Sequence, residues 1–359
     1  MSGLEYRPDA DAARDRLAAW WNGGDLGRPA LLLKARREKP WADVPALPTP
    51  DGWVTHYSTK SFEYRVNAGL RESLWHDHLC ESMPVTAADL GPNCLALYLG
   101  CRGVEMPGTV WFEPCMASPE AAAFRYDPHN FYWDFTVRLA TELVRAGKGR
   151  FLVQYPDIIE GLDTLAAMRG GEALLADLID QPAWVHDCLD KITDLYFAYY
   201  DPLYNLLKDE RGGTHFWVWA PGRCAKLQCD FSAMISPAMF GDFMVPVLRR
   251  MTERLDFVLY HWDGPGAVPH HDHLLSVPGI RMLQWTPGAA ATPAWHPQWW
   301  PIYHKTVDAG RMVMLSDWFP PEKLAAMKRE FGKKLNRFLL GLEVPDRAAA
   351  DAVLRAVSD

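Results

Sequence analysis

A chain of 359 residues, 49% of them hydrophobic, is long enough for one large α/β unit or two ordinary domains. Its 37 Lys and Arg against 45 Asp and Glu leave a formal net charge of -8. That argues against a nucleic-acid surface, and disfavours a strongly anionic substrate unless a local basic pocket exists. No apolar run approaches a membrane span, residues 1–17 lack the apolar core of a signal peptide, and the seven cysteines are scattered without a CxxC pair. A cytoplasmic protein with reduced thiols is the expectation.

In chain order, the spacing of Leu17, Trp20 and Trp21 predicts a helix over 12–21, ended by Gly23-Gly24. Residues 29–33 form the first short apolar run. A passage with Pro40, Pro45, Pro48 and Pro50 is too proline-rich for regular structure, and 62–74 reads as a second helix. The second apolar run is 93–99, closed by Gly100, and 109–112 reads as a short strand of a side hairpin that carries Trp111. Helices are then predicted over 130–146, 172–180 and 183–208, with a strand at 151–155 and extended segments at 215–219 and 226–229. Ser236 followed by Pro237 has the N-cap and N1 chemistry of a helix that runs to about residue 255. Strands at 257–260, 280–285, 312–315 and 338–342 alternate with helices near 268, 298–309, 321–331 and from 347.

The apolar runs beginning near 30, 93, 151, 215, 257, 280, 312 and 338 are eight strand-length segments separated by helix-length ones. The expected fold is therefore an α/β (β/α)8 TIM barrel, a single domain over 1–359 whose residues 1–28 are an N-terminal helical extension. Chemistry then belongs at the strand C-terminal ends. The stretch LDFVLYHWDGPG stands out there, because His261 and Asp263, two residues apart at a strand end, point to one side. Asp157 and Glu160 follow the third strand, Asp230 follows residues 226–229, Gln284 and Trp285 lie at the sixth, Asp317 and Trp318 follow the seventh, and Glu343 follows the eighth. Carboxylates and histidine facing one mouth suit a divalent metal or general acid–base work. A lone Asp after a strand also serves as the N-cap of the next helix, so Asp157 and Asp317 have a purely structural alternative. His261 has one too, as a histidine bonded to a backbone carbonyl while Asp263 closes the turn.

His270 and His271 diverge by about 100° on a helix, so they do not serve one ion, and Cys224 and Cys229 read as buried thiols. The aromatic group Trp217, Trp219, Trp262, Trp285, Trp295, Trp299, Trp300 and Tyr303 suits either a wall for a small ligand or packing of helices on the barrel.

The runs LQCDFSAMISPAMFGDFMVPVLRRM and LYHWDGPGAVPHHDHLLSVPGIRMLQWTPG, with RLAAWW, RPALLL, TVWFEP and LDTLAAMRG upstream, together resemble the uroporphyrinogen decarboxylase superfamily. The likeness is to its poorly characterised branch grouped with corrinoid methyltransferases, and it covers nearly the whole chain. It implies a (β/α)8 barrel. Authentic uroporphyrinogen decarboxylases carry an Arg-rich loop resembling RQAGRY after the first strand, where this chain has Lys34, Ala35, Arg36 and Arg37. Their catalytic Asp after the second strand has no counterpart either, since Leu97-Tyr98-Leu99-Gly100 occupies the place. The resemblance therefore points away from porphyrinogen decarboxylation.

Methyltransferases of the superfamily hold zinc through His-x-Cys after the fifth strand and a Cys after the eighth. Here His261-x-Asp263 and Glu343 fall at those places, which implies a harder site for zinc or another divalent metal. The resemblance thus implies methyl transfer from a small methylated substrate to a corrinoid on a separate protein, since no DxHxxG stretch is present. Asp230, His261 and Asp263 are the catalytic candidates; His261, Asp263 and Glu343 are the metal candidates. Trp111, Glu160, Trp219, Gln284, Trp285 and Trp318 are the substrate-binding candidates. The alternatives are a decarboxylase or lyase on a small carboxylic acid with Asp230 and His261 as acid and base, and a non-catalytic small-molecule-binding barrel. Neither nucleic acid nor membrane is an expected partner, and a homodimer is compatible with the chain.

Overall fold

The computed structural model describes residues 3–288, 292–315 and 319–358, and the alternation read from the sequence is present as a mixed α/β fold. Its strands are β1 (Ala30–Arg36), β2 (His76–Cys80), β3 (Val85–Ala87), β4 (Arg102–Met106), β5 (Thr109–Glu113), β6 (Leu152–Gln154), β7 (Thr214–Phe216), β8 (Val218–Ala220), β9 (Cys224–Gln228), β10 (Phe257–Asp263), β11 (Ile280–Thr286), β12 (Met312–Leu315) and β13 (Phe338–Val344). Seven of them form one sheet in the order β2-β1-β13-β12-β11-β10-β9, parallel throughout except for β2. Strands β3 and β6 form a separate parallel pair, and β4–β5 and β7–β8 are antiparallel pairs.

The second strand is where the sequence reading goes wrong. Residues 94–98 are a helix, Cys94–Tyr98, and all five side chains are buried. A short apolar run buried on every side carries no period that tells strand from helix. What starts this helix is Asn93, in the left-handed region at φ 78°, whose side-chain oxygen accepts the Ala96 N–H. The strand preceding it is β3, three residues long and without a hydrophobic run of its own.

Closure of the barrel is the second difference, because the described ladders do not close. The free edge of β1 is taken by β2, antiparallel from Leu32↔Cys80 to Arg36↔His76, so β3 pairs only with β6. The 215–219 segment is two strands broken at Trp217, whose backbone is left-handed at φ 63°.

Elsewhere the reading holds with small shifts, apart from the helix Gly161–Arg169, which it lacks. Ser236 accepts the Met239 N–H at 3.2 Å and starts the Pro237–Glu253 helix. The N-terminal helix Ala10–Trp21 packs into the core, where Trp20 bonds the Asn336 carbonyl and Trp21 that of Trp219. No helix among the described residues is long and apolar enough to cross a membrane.

Candidate functional site

Strand β10 carries the centre. Its 257–260 segment is buried apolar, as a strand covered on both faces requires, and the ladder continues through Asp263 rather than stopping at residue 260. Parallel register sets His261 opposite Gln228 of β9 and Gln284 of β11, and Gln284 opposite Met314 of β12. Partnered residues share a sheet face, so these four form one row pointing inward.

Near that row the structure brings together three groups, Asp230, His261 and Asp263, whose ligand atoms lie within 4.8 Å of one another. The His261 Nδ1–H donates to the Gln284 amide oxygen, and the Gln284 amide nitrogen donates to Thr286 Oγ1 at 2.8 Å. This leaves the other imidazole nitrogen with its lone pair. Burial and the Lys226 charge hold the His261 imidazolium below its ordinary pKa, so the ring is neutral at physiological pH. One Asp263 oxygen is buried with no hydrogen-bond partner. A neutral imidazole oriented by an amide, an unpartnered carboxylate oxygen and a second carboxylate are a donor set that fits a divalent cation.

Around them stands a polar network that the sequence reading missed in part. Lys226, fully buried on β9, pairs with Asp157 at 2.5 Å and also reaches the Gln228 side-chain oxygen. The Gln228 amide donates to Asp163 at 3.0 Å and Asp230 at 3.2 Å, and Asp163 accepts the N–H groups of Asp230 and Phe231, both at 2.9 Å. Removal from water, and then the charge of Asp163, push the Asp230 carboxyl up to about 7, against the pull of Lys226. Glu160 is buried completely. One of its oxygens accepts the Gln228 N–H while the other has no partner, and burial pushes it up to about 8.

A cavity of about 650 Å³ opens beside this centre. Both ladders wall it: Leu32 and Lys34 from β1, Val85 to Ala87 from β3, Gln154 from β6, and His261, Gln284, Thr286 and Met314 from the parallel sheet. Trp217 and His215 add another side, and His56, Tyr57, Arg65, Glu72 and Asp89 complete it. The left-handed turn at Trp217 aims its indole edge-on at His261, ring centres 5.3 Å apart, with Lys226 Nζ 5.2 Å from the indole. The Lys34 ammonium has neither hydrogen bond nor ion pair within the described residues, and burial, followed by its charge, keeps His215 neutral, down to about 3. The cations on this wall, Lys34 and Arg65, stand against the carboxyl groups of Glu72 and Asp89. Asp89, next but one after β3, accepts the Asp157 N–H at 3.0 Å, and burial and the Asp157 charge push its carboxyl up to about 6. An acid does therefore follow β3, the strand that precedes residues 93–99.

Several expected site residues stand elsewhere. Glu343 lies within β13, exposed, and pairs with His76 at 3.1 Å, outside the three-residue group. Trp285 alternates with Gln284 and Thr286, so it faces outward and packs against Trp262 and Trp299. Trp219 is buried and donates to Asp209 at 2.8 Å, away from the cavity. Trp111 is 66% exposed on the side hairpin. Asp317 and Trp318 lie outside the described residues. His270 and His271 are buried, the first bonded to the Ser232 carbonyl and the second to Thr306, and serve packing.

Sequence reasoning overlooked Lys226, Asp163, Lys34, Arg65 and Asp89 as site groups. The signal for Lys226 was available: a lysine inside the apolar run CAKLQC is stable there only if paired. No family model matches the chain, and a search of curated proteins finds no match.

Proposed function

We propose that this protein is an enzyme of (β/α)8-barrel type that moves a methyl group from a small methylated substrate to a corrinoid carried on a separate protein. The observation that carries this reading is the Asp230–His261–Asp263 group within 4.8 Å, two members of which, His261 and Asp263, correspond to the His-x-Cys through which the methyltransferases that the sequence resembles hold zinc. The barrel reading is supported by the two parallel ladders that wall one cavity. A divalent cation is to be held by those three side chains, and when bound it supplies Lewis acidity toward the heteroatom that carries the methyl group. Gln284 fixes the imidazole tautomer, Gln228 holds Asp230 and is itself braced by Lys226, and the cavity admits the substrate beside Trp217.

The test is elemental analysis of the purified protein beside its His261→Ala and Asp263→Ala variants, followed by methyl transfer to a corrinoid protein kept in the Co(I) state. Stoichiometric metal that both variants lose supports the site. Protein free of metal after incubation with zinc, manganese or cobalt, with ligand affinity unchanged in His261→Ala, removes the metal from the reading.

A second reading has its own observation. Lys34 is an ammonium without a partner among the described residues, on a wall that also holds Asp89, which suits a small carboxylic acid and a decarboxylase or lyase with Asp230 and His261 as acid and base. Carbon dioxide release by metal-free protein without any corrinoid would favour it over methyl transfer.

A further inference from the structure

We propose that Cys101 and Cys115 form a two-thiol site that exchanges with small-molecule disulfides and closes a bond across the base of the β4–β5 hairpin. Cys101 immediately precedes β4 and Cys115 lies two residues beyond β5, just past the last ladder pair, Arg102↔Glu113. Their sulfurs are 3.7 Å apart. The backbones on either side are tied down, Cys101 N–H to the Ala96 carbonyl at 3.0 Å and Cys115 N–H to that of Met168 at 3.0 Å. Side-chain rotation alone therefore has to bring the sulfurs to the bonding distance of about 2.05 Å.

The two thiols are unlike in the way such exchange requires. Cys115 is the exposed one of the seven cysteines, and Cys101 is buried. Hydrogen bonding from the Cys101 thiol draws the Cys115 thiol down to about 7, and the same contact, followed by burial, pushes Cys101 up. Beside Cys115 is a cavity of about 240 Å³ whose wall includes Arg125, an exposed guanidinium without a described ion pair, and Asp127, so a disulfide bearing both carboxylates and ammonium groups is the matching reagent.

The chemistry balances with that reagent as the oxidant. The Cys115 thiolate attacks one sulfur of the disulfide, forming a mixed disulfide and expelling one thiolate. Cys101 then loses its proton and attacks Cys115 Sγ, and the second thiolate leaves. Two protein thiols become one disulfide, and the reagent is reduced to two thiols. Oxidation also removes the one Cys101 S–H, which in the reduced pair serves either Cys115 Sγ or the Ala167 carbonyl, 3.4 Å away. Ala167, with Phe112 of the same hairpin, lines a second pocket of about 310 Å³ that holds Asp163 and Asp230, so the crosslink fixes one wall beside the catalytic candidates.

The experiment treats the full chain with glutathione disulfide at mildly alkaline pH, then maps peptides by mass spectrometry without reduction. The expected product has lost the mass of two hydrogens and yields a Cys101–Cys115 crosslinked peptide. Cys101→Ser is expected to accumulate a glutathionyl group on Cys115, and Cys115→Ser to slow consumption of the reagent about 10-fold or more. Because Cys115 is exposed, its variant is expected to fold and keeps the test decisive by itself. Absence of the crosslink, a stable glutathionyl adduct on Cys115 in the unaltered protein, or a Cys115→Ser variant that reacts at the original rate would overturn the proposal.

Discussion

His261 and Gln284 occupy opposite register positions on β10 and β11, and the imidazole Nδ1–H donates to the amide oxygen. The amide is itself held by Thr286, so the tautomer of His261 is set two bonds away from the ring. Replacing Gln284 by Ala frees the ring to rotate and to exchange tautomers. The expected result is a loss of about 10- to 100-fold in divalent-metal affinity with little change in unfolding temperature, read by titration calorimetry. Equal affinity in the variant would mean that the ring is oriented by something else.

The Lys226–Asp157 pair predicts an asymmetry. Lys226 is fully buried, whereas Asp157 retains 19% of its side-chain surface. Asp157→Asn leaves a buried ammonium without its counter-charge, while Lys226→Met leaves a carboxylate that reaches water. Breaking a buried pair costs about 3–5 kcal/mol, and the Asp157 variant belongs at the upper end of that range and the Lys226 variant at or below its lower end. Denaturant unfolding checks the order, and the reverse order would be evidence against the electrostatic account.

Glu160 gives the fold a pH dependence. In the unfolded chain its carboxyl releases its proton near 4.5, while in the folded chain burial holds the proton up to about 8. Between those values the folded state binds more protons, so this contribution to stability is full below pH 4.5, falls as pH rises and is lost above about 8. Its limiting slope is about 1.4 kcal/mol per pH unit. Glu160→Gln keeps the shape and removes the proton. A melting series from pH 5 to 9 is expected to be flatter for the variant, which should be the more stable protein at pH 9.

Lys34→Met probes the cavity. An ammonium without a partner contributes little to the fold, so the melting temperature is expected to hold within about 2 °C. Affinity for an anionic ligand is expected to fall about 10-fold or more, in line with the loss of one charge-assisted hydrogen bond. A variant that binds anions as well as the original protein would disconnect Lys34 from recognition.

Long strands with clear flanks were legible. The strand over 257–260, the 280 and 312 runs and the Ser236-Pro237 helix start all follow from local chemistry that survives packing. What the residues could not disclose depended on burial from both sides or on a single backbone angle. Residues 94–98 are apolar all round, so their period was silent, and that error hid both β3 and the significance of Asp89. Trp217 turns left-handed against its own preference, a choice only tertiary contacts explain. At the site, His261, Asp263 and Gln284 were visible because period 2 puts them on one face, and the same rule, applied to Trp285, would have turned it outward. Glu343 was placed by position in the chain, but the extension of β13 to Val344 leaves it exposed beside His76.

The cavity is walled by two ladders that share no described strand pairing, the β3–β6 pair on one side and the seven-stranded sheet on the other. In a closed barrel, widening the interior stretches backbone hydrogen bonds all the way round. Here the separation of β3 and β6 from β1 and β9 strains side-chain contacts and a few isolated bonds, such as Tyr155 N–H to the His215 carbonyl at 3.2 Å. The interior is therefore compliant along one direction and stiff along the others. On the proposed function, bulky substituents of a ligand go toward Val85 to Ala87 and selectivity falls to the His261–Gln284 side. In amide hydrogen exchange, ligand binding should slow β3 and β6 far more than β10 and β11, whose amides are held by the ladder already.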